Sequence, residues 1–146
     1  MVHVQRGDYV IEIGANGLPA NRFTKVKGGN LQSISSEVEK GRMSLALPIV
    51  GFNQKLSDGI QGEIEREILE EENIQPQEFH IKWMPELSVR GGLRKALASV
   101  MNFRFETRPA DEGTAANFRF NLHKGSYATV VLREFIKPED PVSSGF

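Results

Sequence analysis

Hydrophobic and polar positions change period several times along this chain, and the changes predict its elements. Tyr9-Val10-Ile11-Glu12-Ile13 is a mostly apolar run ended by Gly14, and it predicts a strand. Asn16-Gly17 is a hairpin-turn signal, and Arg22-Phe23-Thr24-Lys25-Val26 predicts the returning strand. Ile34 and Val38 then share one helical face, with Asn30 at the N-cap and Gly41 as the stop, predicting a helix from Leu31 to Lys40. Met43-Ser44-Leu45-Ala46-Leu47 predicts a buried strand ended by Pro48. From Gly59 to about Glu72, Ile60, Ile64 and Ile68 with Leu69 form the inward stripe of a helix whose carboxylates face water. Asp58 at its N-cap and Gln61 three residues on make a capping-box pattern, and Pro76 closes it.

Beyond Phe79 the texture becomes irregular, through Lys82-Trp83-Met84-Pro85 to Gly91-Gly92, where glycine permits backbone excursions. Arg94 to Ala98 and Val100 to Thr107 predict strands; in the second, Phe103 and Phe105 lie on one face, Arg104 and Glu106 on the other. Pro109 to Ala116 is a polar, turn-rich loop, and Asn117 to Leu122 alternates as a strand. Antiparallel pairing of these two strands gathers Phe103, Phe105, Phe118 and Phe120 on one face, where they are expected as core. Ala128, Val131, Leu132 and Phe135 at i, i+3, i+4 and i+7 predict a helix laid across that face. The tail from Pro138 predicts no regular structure. The class is α+β.

Composition narrows the chemistry. With 146 residues the chain can bury one sizeable core or two small lobes. It has no cysteine, which removes disulfides and thiolate metal sites. His3, His80 and His123 are scattered without ligand spacing or a nearby nucleophile. No apolar run reaches the length of a membrane span, and residues 1–6 have no signal-peptide core. Val2-His3-Val4 reads like mid-strand sequence, as in a truncated reading frame or an expressed fragment. Net charge is −1, but it is unevenly spread. Residues 1–80 carry 8 Lys and Arg against 12 Asp and Glu; residues 81–146 carry 10 against 7. A surface for a polyanion therefore belongs to the second half.

The segment Lys124-Gly125-Ser126-Tyr127 stands where the last strand gives way to the last helix. Ser126 is placed to cap that helix, and the free N–H groups of its first turn, with Lys124, would favour a phosphate. Tyr127 would offer a flat ring on which a nucleobase could stack. Arg90 and Arg94, flanking Gly91-Gly92, could grip phosphates bidentately. Each feature also has a plain structural reading: an ordinary cap, a packed aromatic, solvated arginines. The residue pattern alone leaves both open.

Gly125-Ser126-Tyr127-Ala128-Thr129 followed by Leu132-Arg133-Glu134 resembles the C-terminal signature of the tRNA pseudouridine synthase D (TruD) family, archaeal branch. Two further segments resemble the family in its own order. One is Leu56-Ser57-Asp58-Gly59-Ile60-Gln61-Gly62-Glu63-Ile64-Glu65-Arg66 with Ile68-Leu69-Glu70-Glu71-Glu72. The other is Met84-Pro85-Glu86-Leu87-Ser88 with Arg90-Gly91-Gly92-Leu93-Arg94. Gly7-Asp8, Gly17-Leu18-Pro19 and Asn30 also match, so the resemblance covers nearly the whole chain but only the C-terminal part of the family.

The resemblance implies residues 1–84 as the later part of an α/β insertion (TRUD) domain. It implies residues 85–137 as the last antiparallel strands and C-terminal helix of the catalytic domain, and 138–146 as a tail. It further implies a cytoplasmic isomerase that acts on a flipped-out uridine in the D-arm of tRNA without a cofactor. Tyr127 takes the position of a pocket-lining Phe or Tyr, with Lys124, Gly125, Ser126, Arg90 and Arg94 as RNA contacts. The family's nucleophilic Asp lies in a Gly-x-Lys-Asp motif, and none of Asp8, Asp58, Asp111 and Asp140 follows a Lys. No catalytic residue is therefore assigned. Three readings follow: a fragment inactive alone, a stand-alone RNA-binding module, or one subunit of a split synthase. Incomplete lobes would leave apolar edges exposed, implying self-association or association with a missing N-terminal part.

Overall fold

A computed structural model describes residues 3–111 and 113–145 of the chain. Val2 of the Val2-His3-Val4 run, Glu112 of the expected loop and Phe146 of the tail lie outside these residues. Helices and antiparallel sheets mix as expected of an α+β chain, in two compact units, Met1–Leu97 and Ala98–Phe146.

In the first unit β1 (Tyr9–Ile13) pairs antiparallel with β2 (Pro19–Lys25), joined by a turn with Gly17 at φ +75°. The Asn16 Oδ1 accepts the Leu18 N–H at 3.1 Å, which fixes that turn. Helix α1 (Leu31–Glu39) follows a short 3₁₀ turn at Gly28–Asn30. Asn30 stands at its N-cap, yet the side chain turns backward and accepts the Lys27 N–H at 2.7 Å instead of capping α1.

Strand β3 (Met43–Ile49) runs through Pro48 and does not stop before it. The register explains this. β3 pairs with β1 only over Met43–Ala46, and with β4 (Gly92–Lys95) over Ala46–Ile49. At Pro48 the strand has one neighbour, the edge-like setting in which a missing N–H is tolerated. The sheet order is β2-β1-β3-β4, so the Arg94 strand, shorter than the expected 94–98 run, belongs to this sheet.

Val10, Val26 and Ile34 are buried together between sheet and α1, with Leu31, Val38, Met43 and Leu45 packed around them. On the other sheet face Ile11 and Ala46 are buried. Helix α2 (Gly59–Glu71) corrects the expected inward stripe. Ile60, Ile64 and Ile68 face outward, while Gly62 is buried and Gln61, Glu65 and Leu69 are partly buried. The inward face is narrow because the Ser57 carbonyl lies directly against Gly62. A Cβ there would come within 2.7 Å of the Ser57 carbonyl carbon and nearer still to its oxygen. The capping box at Asp58 is also absent: Asp58 is the N-cap without a side-chain bond, and Gln61 donates to Glu65 Oε1 at 3.2 Å.

In the second unit β5 (Val100–Pro109) and β6 (Thr114–Leu122) form a two-stranded antiparallel ribbon, longer than expected, with an irregularity between Met101 and Arg104 where Asn102 has φ +51°. Phe105 lies opposite Phe118. Helix α3 (Ala128–Ile136) lays Phe135 over this face, its ring centroid 5.0 Å from Phe103 and 5.4 Å from Phe118. The phenylalanines stack as expected, but on a half-exposed face: Phe103 is 41%, Phe105 52% and Phe135 50% accessible. Ala128 is exposed as well, leaving Val131 as the buried residue of α3. A two-stranded ribbon and one short helix cannot enclose five rings. The tail carries turns only, the Asp140 carboxylate accepting the Val142 and Ser143 N–H groups at 3.0 and 3.2 Å.

Candidate functional site

After Leu122 ends β6, the Ser126 N–H donates to the His123 carbonyl at 3.1 Å and closes a four-residue turn. Gly125 occupies its third position at φ +89°, where the backbone and not space demands glycine, since a Cβ would meet nothing within 4 Å. Helix α3 starts one residue later than expected. Its N-cap is Tyr127, not Ser126, in extended conformation (φ −102°, ψ 120°) and without a side-chain cap bond. The Tyr127 carbonyl accepts the first helical bond, from the Val131 N–H. Tyr127 is 64% accessible, so it is not a core aromatic of its unit. Lys124 and Gly125 are exposed beside it and Ser126 is partly buried.

Arg90 and Arg94 belong to the other unit. A tight backbone crossing holds Arg90: the Phe52 N–H donates to the Val89 carbonyl at 3.0 Å and the Asn53 N–H to the Arg90 carbonyl at 3.1 Å. Gly91 makes the crossing feasible, with φ +77° and an absent Cβ that would meet the Ile49 carbonyl oxygen at 2.6 Å. Arg94 follows in β4 opposite Leu47, and both arginines are exposed. The structure thus presents the six expected residues as two sets, Lys124–Tyr127 at the β6–α3 junction and Arg90 with Arg94 around Gly91-Gly92.

Asp58 has a structural partner. Its carboxylate pairs with Lys25 Nζ at 2.9 Å, and that ammonium also donates to the Leu56 carbonyl at 3.3 Å and lies 4.8 Å from the centre of the Tyr9 ring. The hydrogen bond from Lys25 holds the Asp58 carboxyl below the usual range. Burial lowers the Lys25 pKa, but its bonds to Asp58 and Tyr9 outweigh that and leave it raised.

One cationic arrangement escaped the sequence reading. Arg104 on β5 lies directly opposite Arg119 on β6, on the ribbon face away from the phenylalanines, with Arg108 further along. The alternation of Phe118 and Phe120 around Arg119 carried that signal, but it became a pair only once the register was fixed. Among the described residues no group of three or more His, Cys, Asp or Glu is placed to hold a metal ion. Among them, too, no helix is long and apolar enough to cross a membrane.

The sequence profile of the tRNA pseudouridine synthase D (TruD) family matches residues 1–135. The chain belongs to that family. A "Probable tRNA pseudouridine synthase D" of Thermococcus sibiricus is 39% identical over 132 residues, covering 90% of this chain and 30% of the relative. One from Methanopyrus kandleri is 48% identical over 93 residues, covering 64% of this chain and 22% of the relative. The chain also superposes on a crystal structure from Methanosarcina mazei described as a TruD, with TM-score 0.83 and 33% identity, over 96% of this chain and 32% of that one. This TruD chain therefore spans about a third or less of the length of the relatives it matches.

Proposed function

We propose that this chain is the C-terminal part of a tRNA pseudouridine synthase. It forms the RNA-holding wall of a site that isomerises a D-arm uridine to pseudouridine in the cytoplasm. In that reaction the N1 glycosidic bond breaks, the base turns, and C5 joins the sugar, losing its proton to solvent while N1 takes one up. The observation that carries the reading is the exposed Tyr127 ring, held at a turn-to-helix junction in a chain of this family. A base extruded from its stack needs a flat surface to recover stacking, and Tyr127 offers one. In the second unit the first turn of α3, Lys124 and the Gly125-Ser126 turn would hold the flanking phosphate; in the first unit Arg90 and Arg94 would each take backbone phosphates.

Residues 1–84 are proposed as the later part of the insertion domain, 85–137 as the end of the catalytic domain and 138–146 as a tail. The chain is inactive by itself, because no Asp stands in the nucleophile's motif and Asp58 is tied to Lys25. Its partner is the N-terminal part of a synthase, in the same or a separate polypeptide. The exposed Phe103, Phe105 and Phe135 on one unit and Ile60, Ile64 and Ile68 on the other support that completion over a stand-alone binding module. The test is tRNA binding together with tritium release from tRNA labelled at uridine C5. Binding without release supports the proposal; release by the chain alone, or no binding, contradicts it.

A further inference from the structure

We infer that the outer face of the β5–β6 ribbon is a docking surface for RNA phosphates, built on Arg104, Arg119 and Arg108; this rests on the RNA reading above. Antiparallel register puts Arg104 directly across from Arg119, and Arg108 across from Ala115 on the same face. Like charges directly opposite each other destabilise a sheet unless something compensates them. Among the described residues no ion pair does. All three arginines are exposed. Elsewhere Arg22, Lys25, Lys40 and Arg42 each have a carboxylate, at Glu12, Asp58 and Glu37.

The face has one acid, Glu106, which stands opposite Asn117 and leaves the surface two charges positive. The other face of the ribbon carries the phenylalanines and the Phe135 of α3, so the arginine face is the one open to a polyanion. Arg104 and Arg108 stand about 13 Å apart along the strand, room for more than one phosphate of a strand laid along the ribbon. Guanidinium forks suit that geometry, since each can take two phosphate oxygens at once. Bases play no part in such a contact, so the surface positions RNA without reading its sequence.

The experiment measures binding of the chain to an unmodified tRNA transcript by fluorescence anisotropy at several salt concentrations. It compares wild type with Arg104→Gln/Arg119→Gln and with Arg22→Gln/Lys40→Gln, which removes the same charge from the other unit. The ribbon variant is expected to bind roughly tenfold or more weakly at 0.1 M salt, with a log–log salt slope shallower by about 1.4 to 1.8. It should melt no lower than wild type, since an opposed like-charge pair has been removed. The control pair should keep the wild-type slope. Wild-type binding with an unchanged ribbon variant, or equal loss in the control pair, overturns the ribbon surface and leaves the RNA reading standing. Failure of wild type to bind overturns both.

Discussion

Glu65 accepts both the backbone N–H and the hydroxyl of Ser57, at 2.7 and 2.8 Å. Ser57 is 1% exposed, so both of its donors would otherwise be buried without water. This clamp ties α2 to the loop entering it, and Asp58, the next residue, donates its N–H to the Gly7 carbonyl at 3.1 Å. Through Gly7 and Lys25 the helix is thereby anchored to the turn that precedes β1 and to β2.

Glu65→Ala should cost about 1–3 kcal/mol, the usual penalty for stranding buried donors. Glu65→Gln keeps one acceptor oxygen and should lose less. Urea denaturation of the three proteins checks the order.

Gly62→Ala should be at least as damaging as Glu65→Ala, because the new methyl overlaps the Ser57 carbonyl and the backbone must move. Overpacking of this kind costs typically 1–3 kcal/mol, and here rigid backbone puts it at the upper end, about 3 kcal/mol. Gly28→Ala has open space and no left-handed backbone, so it should cost little, and urea denaturation of both variants gives the steric part by difference.

Elements were legible where sequence period and packing agree. The Val10, Val26 and Ile34 core, the Asn16-Gly17 turn and the phenylalanine alternation of the ribbon all follow from local pattern. The inward face of α2 did not, because three isoleucines at i, i+4 spacing outweigh a glycine on any hydrophobic scale. What decides the face is the close approach of Ser57 to Gly62, a tertiary fact. The start of α3 moved by one residue too, because the carbonyl that accepts its first bond is that of Tyr127. Of the candidate site, Tyr127's exposure and the Arg104–Arg119 opposition depend on strand pairing that no single segment encodes.

The Lys25–Asp58 pair should stabilise the fold across neutral pH and fail at both extremes. Asp58's folded pKa is lowered by Lys25, so its contribution is present above about pH 3.9 and disappears as pH falls through the lowered value. Lys25's folded pKa is raised, so its contribution is present below about pH 10.4 and disappears as pH rises through the raised value. Asp58→Asn should therefore melt lower than wild type at pH 7, with the gap closing as the pH falls below about 3.9 and through the lowered value. Any acid slope left in the variant includes Glu37, whose pKa is lowered by its hydrogen bond from Arg42. Melting curves across pH for the two proteins measure this.

Replacing the residue that matches Tyr127 by Ala in a full-length relative should slow pseudouridine formation roughly tenfold or more, since base stacking is typically worth about 1–3 kcal/mol. Phe should be mild, because the ring and not the hydroxyl does the stacking. With the residue 64% accessible here, melting temperature should move little. A rate left intact alongside a collapse in stability would make the residue a packing one.

The most direct test uses tRNA tritiated at uridine C5, incubated with the purified chain. Isomerisation must expel that label, so release counts turnover without ambiguity. No release is expected above the protein-free control at any concentration of this chain, because none of its aspartates stands in the nucleophile's motif. Release that grows in proportion to the chain would contradict this, and would place a working nucleophile among Asp8, Asp58, Asp111 and Asp140.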